Sequence, residues 1–182
     1  MRSIALIVGS LRQGAYTRLV ARALIDLAPP TLKLNEVGIG ELPFYNQDLE
    51  TDTPPAPWRI FRDQIRKSDG VVFVTPEYNR GMPGVVKNAI DVGSRPPKES
   101  VWRGKPALVI SQTPGKLGGM SGHQQLRLTL SVIASPVMPA PEVYIPEVAK
   151  LFGPDGKLIA DDTRKLLSSV LNDFDTWVGR FQ

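Results

Sequence analysis

Apolar residues along this chain fall into short unbroken runs separated by stripes at helical spacing. Residues 4–8 (IALIV), 71–75 (VVFVT) and 107–111 (ALVIS) are near-continuous hydrophobic runs, the pattern of strands covered on both faces of a parallel sheet. Residues 32–37 (LKLNEV) predict another strand and 142–145 (EVYI) a weaker fifth. Between the runs, Leu19, Val20, Ala23, Leu24 and Leu27 recur with helical period, as do Trp58, Phe61 and Ile65. Val85, Val86, Ala89 and Ile90 make a third stripe, and Leu126, Leu130 and Ile133 a fourth. The last helix carries Leu166, Leu167, Val170, Leu171, Phe174 and Val178, with Asp161, Asp162 and Thr163 expected to cap its start. Strand–helix alternation over residues 1–182 predicts one three-layer α/β domain with no second unit. Two segments interrupt the rhythm: a proline-rich loop at 38–58, long enough to suggest a functional or interface role, and a turn within 151–162.

Composition narrows the chemistry. The 182 residues contain no cysteine and one histidine, His123, so thiol redox, iron–sulfur ligation and zinc–thiolate sites are excluded and no metal site is expected. Redox chemistry would have to come from an organic cofactor. The net charge of +4 is scattered, with no basic run interleaved with aromatics, so nucleic acid is not an expected partner. A mildly positive surface suits small phosphorylated ligands instead. With no membrane-length apolar run and no basic-then-apolar leader, the expectation is a cytoplasmic protein without a membrane partner.

Three loops follow the predicted central strands. In GSLRQGAYTR (9–18), Gly9 ends the first strand and Tyr16 or Thr17 starts the first helix. Free amides at a helix start favour an anion, and Ser10, Thr17 and Arg12 can add donors. The same hydroxyls could equally cap the turn. The segment is neither G-x-x-x-x-G-K-[ST] nor G-x-G-x-x-G, which leaves a lone terminal phosphate as the fitting anion. The second loop, TPEYNRGMPGVVKNAID (75–91), offers shaped backbone and one aromatic face, suited to a flat heteroaromatic ring or to a plain turn. With strand order 2-1-3-4-5, these two loops flank the switch point where a ligand crevice opens. The third, SQTPGKLGGMSGH (111–123), is glycine-dense and could approach a ligand closely. His123 reads as a proton donor or substrate contact or, as lone histidines at helix starts usually do, as structural. Tyr78 could stack on a ring or pack under its loop. Trp58, Trp102 and Trp177 read as core or interface.

GSLRQGAYTR, LPFYNQDLE, DGVVFVTPEYNRGMPGVVKNAID and LGG…LR, in this order and spacing, resemble the NADPH-dependent FMN reductase family, which includes bacterial chromate and quinone reductases. The resemblance runs from the first strand to the last helix, and P-E-Y-N followed by K-N-A-I-D is its most specific part. It implies a flavodoxin-like fold, a five-stranded parallel sheet in order 2-1-3-4-5 with helices on both faces, and tightly held FMN. Ser10, Arg12, Ala15, Tyr16 and Thr17 would then surround the phosphate, and Pro76, Glu77, Tyr78 and Asn79 would line the isoalloxazine. Thr113, Pro114, Gly115 and Lys116 would close its far edge. Arg80, Gly118, Gly119 and His123 are the candidate substrate contacts. The implied reaction passes a hydride from NADPH or NADH to flavin N5, then electrons to a quinone, an azo compound, a metal ion such as chromate, or another small oxidant. No protein acid or base is required.

Relatives are dimers or tetramers, so the resemblance also implies a homodimer or homotetramer. The 41–50 loop would reach the partner, and Arg127 and Glu142 would sit in a charged network between dimers. Departures from the pattern are Ala15 and Gly81 in place of serines, Val92–Gly93 in place of tryptophan–leucine, and Met120–Ser121–Gly122 where an arginine is usual. A flavin-binding carrier or sensor without NAD(P)H turnover is the second reading. The basic pI of about 9.5 opposes it, since flavodoxins are typically acidic. A fold that kept its shape and lost the cofactor is a third, opposed by the intact P-E-Y-N loop.

Overall fold

The computed structural model describes residues 1–182. Five strands, β1 (Arg2–Val8), β2 (Leu32–Glu36), β3 (Gly70–Pro76), β4 (Ala107–Gln112) and β5 (Val143–Ile145), form one parallel sheet in the order β2-β1-β3-β4-β5. The helices are α1 (Tyr16–Leu27), α2 (Ala56–Arg66), α3 (Gly84–Gly93), α4 (Met120–Val132) and α5 (Asp161–Gly179). The flavodoxin-like order and the two-sided helical cover are therefore as expected.

Alternation along each strand explains the two layers of core. Ile4, Leu6, Val8, Val72, Val74, Leu108 and Ile110 face α1 and α5. Their neighbours Ala5, Ile7, Val71, Phe73 and Val109 face α2, α3 and α4. Both sets are buried, which is why the runs read as continuous rather than alternating. Trp58 and Trp102 are fully buried in the second layer, whereas Trp177 is half-buried beside the first.

Local details differ from the sequence reading. The long loop ends earlier, because Pro57 suits the first turn of a helix and α2 begins at Ala56. Residues 47–49 also close a short 3-10 turn, with Asn46 Oδ1 accepting from Asp48 N at 3.0 Å. At α5 the capping position is Ala160, and no side chain caps it. Asp161 and Asp162 lie inside the first turn, where they complement the helix dipole instead.

Buried polar groups pin the long loop. Asn88 on α3 accepts from Tyr45 N at 2.8 Å and donates to Leu42 and Pro43 carbonyls at 3.2 Å each. Trp58 Nε1 donates to Pro43 O at 2.9 Å. Arg62 grips Glu50 through two bonds of 2.8 and 2.6 Å and donates from Nε to Val92 O at 2.9 Å. The segment is thus an anchored part of the α2–α3 layer.

Candidate active site

Chain order reverses at β1, which pairs with β2 on one side and β3 on the other. The loops after β1 and β3 therefore diverge and leave a crevice at the carboxyl edge of the sheet. Gly9 makes their close approach possible, since a Cβ there would lie 2.9 Å from Val86 Cγ2 and 3.1 Å from Pro76 Cδ. A cavity of about 200 Å³ occupies the crevice, lined by Ser10, Arg12, Ala15, Tyr16, Pro76, Glu77, Tyr78, Gln112, Thr113 and Pro114. Larger hollows, including one of about 730 Å³ along α4, lie away from these strand ends and hold none of these residues.

Around the first loop, Ser10 is buried and its Oγ lies 3.2 Å from Tyr78 Oη. Arg12 folds back so that Nη2 donates to Gly14 O at 3.0 Å. No side chain caps α1 and no acid occupies its first turn, so the amides at its start are open to an anion. Thr17 does not line the cavity: it is fully buried, with Oγ1 lacking any partner.

The second loop turns tightly at Tyr78–Gly81, whose backbones exchange two hydrogen bonds of 2.9 Å. Asn79 and Arg80 both take positive φ, 50° and 65°, as a type I′ turn demands. Both residues are exposed and neither lines the cavity. Of the expected ring wall, Pro76, Glu77 and Tyr78 line the cavity and Asn79 does not. Tyr78 aims its hydroxyl at Ser10 in the anion loop, and Glu77 turns its carboxylate to α4, accepting from Gly122 N at 3.0 Å. Glu77 caps that helix from outside, with Arg80 3.6 Å away.

The departing residues account for this docking. A Cβ on Gly122 would sit 3.0 Å from Gly81 O, and one on Gly81 would sit 3.0 Å from Gln125 Oε1. The same Gln125 oxygen accepts from Met82 N at 2.7 Å. Two glycines in contact let the second loop rest directly on the start of α4.

In the third loop, Thr113 and Pro114 reach the cavity, while Gly115 and Lys116 are exposed beyond it. Gly118 and Gly119, expected as substrate contacts, are buried and do not line the cavity. Gly118, at φ +60°, passes so close to β5 that a Cβ would meet Tyr144 Cβ at 2.7 Å, and Gly119 is similarly tight against Ser111. His123 does not line the cavity either. It is fully buried, with both ring nitrogens unpartnered and its ring packed edge-on to Tyr144 at 4.6 Å. Desolvation, reinforced by Arg127 and opposed by Glu142, pushes its pKa down to about 4. Beside it Glu142 accepts from Tyr144 Oη at 2.5 Å and Gln124 Nε2 at 2.8 Å, which hold its carboxyl below the usual range. Arg127 stands 3.7 Å from Glu142 and donates to Met138 O at 2.9 Å.

The sequence reading missed Gln112. It ends β4, lines the cavity, and buries an Oε1 with no hydrogen-bond partner. A second polar residue after Ser111, closing a strand whose first four positions are apolar and next to a candidate ligand loop, was the available signal.

Residues 2–150 match the family model for NADPH-dependent FMN reductases. The chain belongs to the NADPH-dependent FMN reductase family. Family membership makes it an oxidoreductase that works with FMN and NAD(P)H. Among its relatives, a quinone reductase of Pseudomonas putida is 51% identical across 97% of this chain and 94% of its own length. A 2-hydroxy-1,4-benzoquinone reductase from a Burkholderia species is 41% identical over 96% of this chain and 95% of the relative. Among solved structures, the flavoenzyme NAD(P)H:(acceptor) oxidoreductase FerB from Paracoccus denitrificans superposes with a TM-score of 0.93. It is 36% identical and covers 100% of this chain and 99% of its own. No helix of the family member described here is long and apolar enough to cross a membrane.

Proposed function

We propose that the protein is an NAD(P)H:quinone oxidoreductase whose FMN sits in the crevice between the loops after β1, β3 and β4. The observation that carries this reading is the cavity at the switch point. There an uncapped helix start, Ser10, Arg12 and the Tyr78 hydroxyl meet a buried oxygen without a partner, Gln112 Oε1. A second, Thr17 Oγ1, is buried in the first turn of α1 outside the cavity lining. Unpaired buried polar atoms beside an anion-ready helix start suit a phosphate with a polyol attached. About 200 Å³ is small for a whole ligand of this size, and Pro76, Thr113 and Pro114 are the lining residues that would meet its flat ring.

FMN, when bound, supplies the two-electron chemistry that joins oxidation of NAD(P)H to reduction of an acceptor. The residues of this chain bind and orient it. Ser10, Arg12, Tyr78 and the first amides of α1 would hold the phosphate. Ala15 gives up one hydroxyl, which Arg12 and the amides offset. Glu77 fixes the second loop against α4, and Arg80 and Lys116 place positive charge on exposed loops where an anionic nucleotide can approach. Nothing in this arrangement demands a protein acid or base at the ring.

A quinone is the acceptor favoured here, on the names of the two quinone-reducing relatives; azo compounds and chromate belong to the same proposal as further acceptors. We place the enzyme in the cytoplasm, acting as one domain and self-associating as a dimer or tetramer. Leu128 and Val132, 67% and 78% exposed on α4, form the apolar face proposed for that contact. The test is steady-state oxidation of NADPH and NADH by the FMN-loaded protein with a benzoquinone, an azo dye and chromate in turn. Quinone-dependent turnover well above the rate without acceptor is expected. Turnover with none of them would refute the reductase reading.

A further inference from the structure

Gln112 is the last residue of β4 and the register partner of Pro76, the last residue of β3. It therefore stands in the floor of the crevice, only 4% exposed, with Ser10, Tyr16, Tyr78 and Thr113 in the same cavity lining. Its Oε1 is sealed from solvent and accepts no hydrogen bond. A buried carbonyl in that state carries its full desolvation cost until something donates to it. Thr113 Oγ1 accepts from Gly115 N and Ser10 pairs with Tyr78, and none of these hydroxyls donates to the Gln112 carbonyl.

We infer that Gln112 Oε1 is the acceptor for a hydroxyl of the ribityl chain, so that Gln112 selects flavins by their polyol. This rests on the FMN reading above. The phosphate presents acceptor oxygens and cannot satisfy a carbonyl. The ring has an N–H, but the cavity that Gln112 shares with the anion loop is about 200 Å³, too small to admit the ring beside a phosphate. The group adjoining the phosphate is the ribityl chain, and each of its hydroxyls can both donate and accept, which matches a side-chain amide.

The experiment titrates flavin-free wild type and Gln112→Met with FMN, riboflavin and lumiflavin by quenching of flavin fluorescence. Urea unfolding of both flavin-free proteins runs alongside. FMN and riboflavin are expected to bind the variant about tenfold more weakly, with lumiflavin, which lacks the ribityl chain, unchanged. The flavin-free variant is expected to be as stable as wild type or more so, because an unpaired buried carbonyl has gone. Equal weakening with lumiflavin would place Gln112 at the ring, and weakening with FMN alone would place it at the phosphate. Unchanged affinities, or a flavin-free variant less stable than wild type, would likewise overturn the assignment. If wild type binds none of the three flavins, the FMN reading itself is refuted rather than the role of Gln112.

Discussion

Arg12 tests the anion loop one side chain at a time. Its guanidinium is exposed and holds only Gly14 O, so it is free to turn toward a phosphate. Arg12→Ala should weaken FMN binding by roughly 1.5–3 kcal/mol, the range for a hydrogen bond to a charged group. Titration calorimetry measures it directly, and an unchanged affinity would mean that Arg12 faces solvent. His123 shows the opposite behaviour, a histidine spent on packing. Its folded pKa of about 4 lies below the ordinary 6.5, so between these values the unfolded chain binds more protons and stability falls as pH falls. The contribution is complete above pH 6.5 and is lost toward pH 4, about 3 kcal/mol in all. Urea unfolding from neutral to acid pH should show that slope in wild type and a flatter one in His123→Phe. Equal slopes would show that His123 is not the group responsible.

Among the elements, what was legible in the sequence follows from what local pattern encodes. The central strands were readable because both faces of the sheet are covered, and β5 was weak because three residues with a half-buried Tyr144 give little pattern. The anion loop was readable as strand, turn and helix start. Contacts made across the chain were not. Glu77 lining a ring and Glu77 capping α4 look identical in P-E-Y-N, and only the fold brings Gly122 to it. The same holds for Gly93, which departs from the family pattern. A Cβ there would meet Trp102 Nε1 at 2.5 Å and Cε2 at 2.6 Å, while Trp102 Nε1 donates to Ile90 O at 2.9 Å. The indole of Trp102 thus occupies space that a side chain at position 93 would need. Gly93→Ala should cost about 1–3 kcal/mol by overpacking, read from the urea midpoint. A neutral result would mean that Trp102 shifts freely.

For the whole molecule, the account joins a family assignment to a geometry. The sheet order opens a crevice between two loops, one furnished for an anion and the other docked on α4 through Glu77 and paired glycines. His123, Gly118 and Gly119 are buried behind that frame and do not line the cavity. A protein so built can carry a flavin as an electron carrier or turn it over as a reductase. The measurement that separates these most directly is anaerobic mixing of the FMN-loaded protein with NADPH and, separately, NADH, followed by addition of a quinone. The account predicts rapid bleaching of the yellow flavin absorbance by a nicotinamide and its return when the quinone is added. Flavin that stays yellow with both nicotinamides would contradict it.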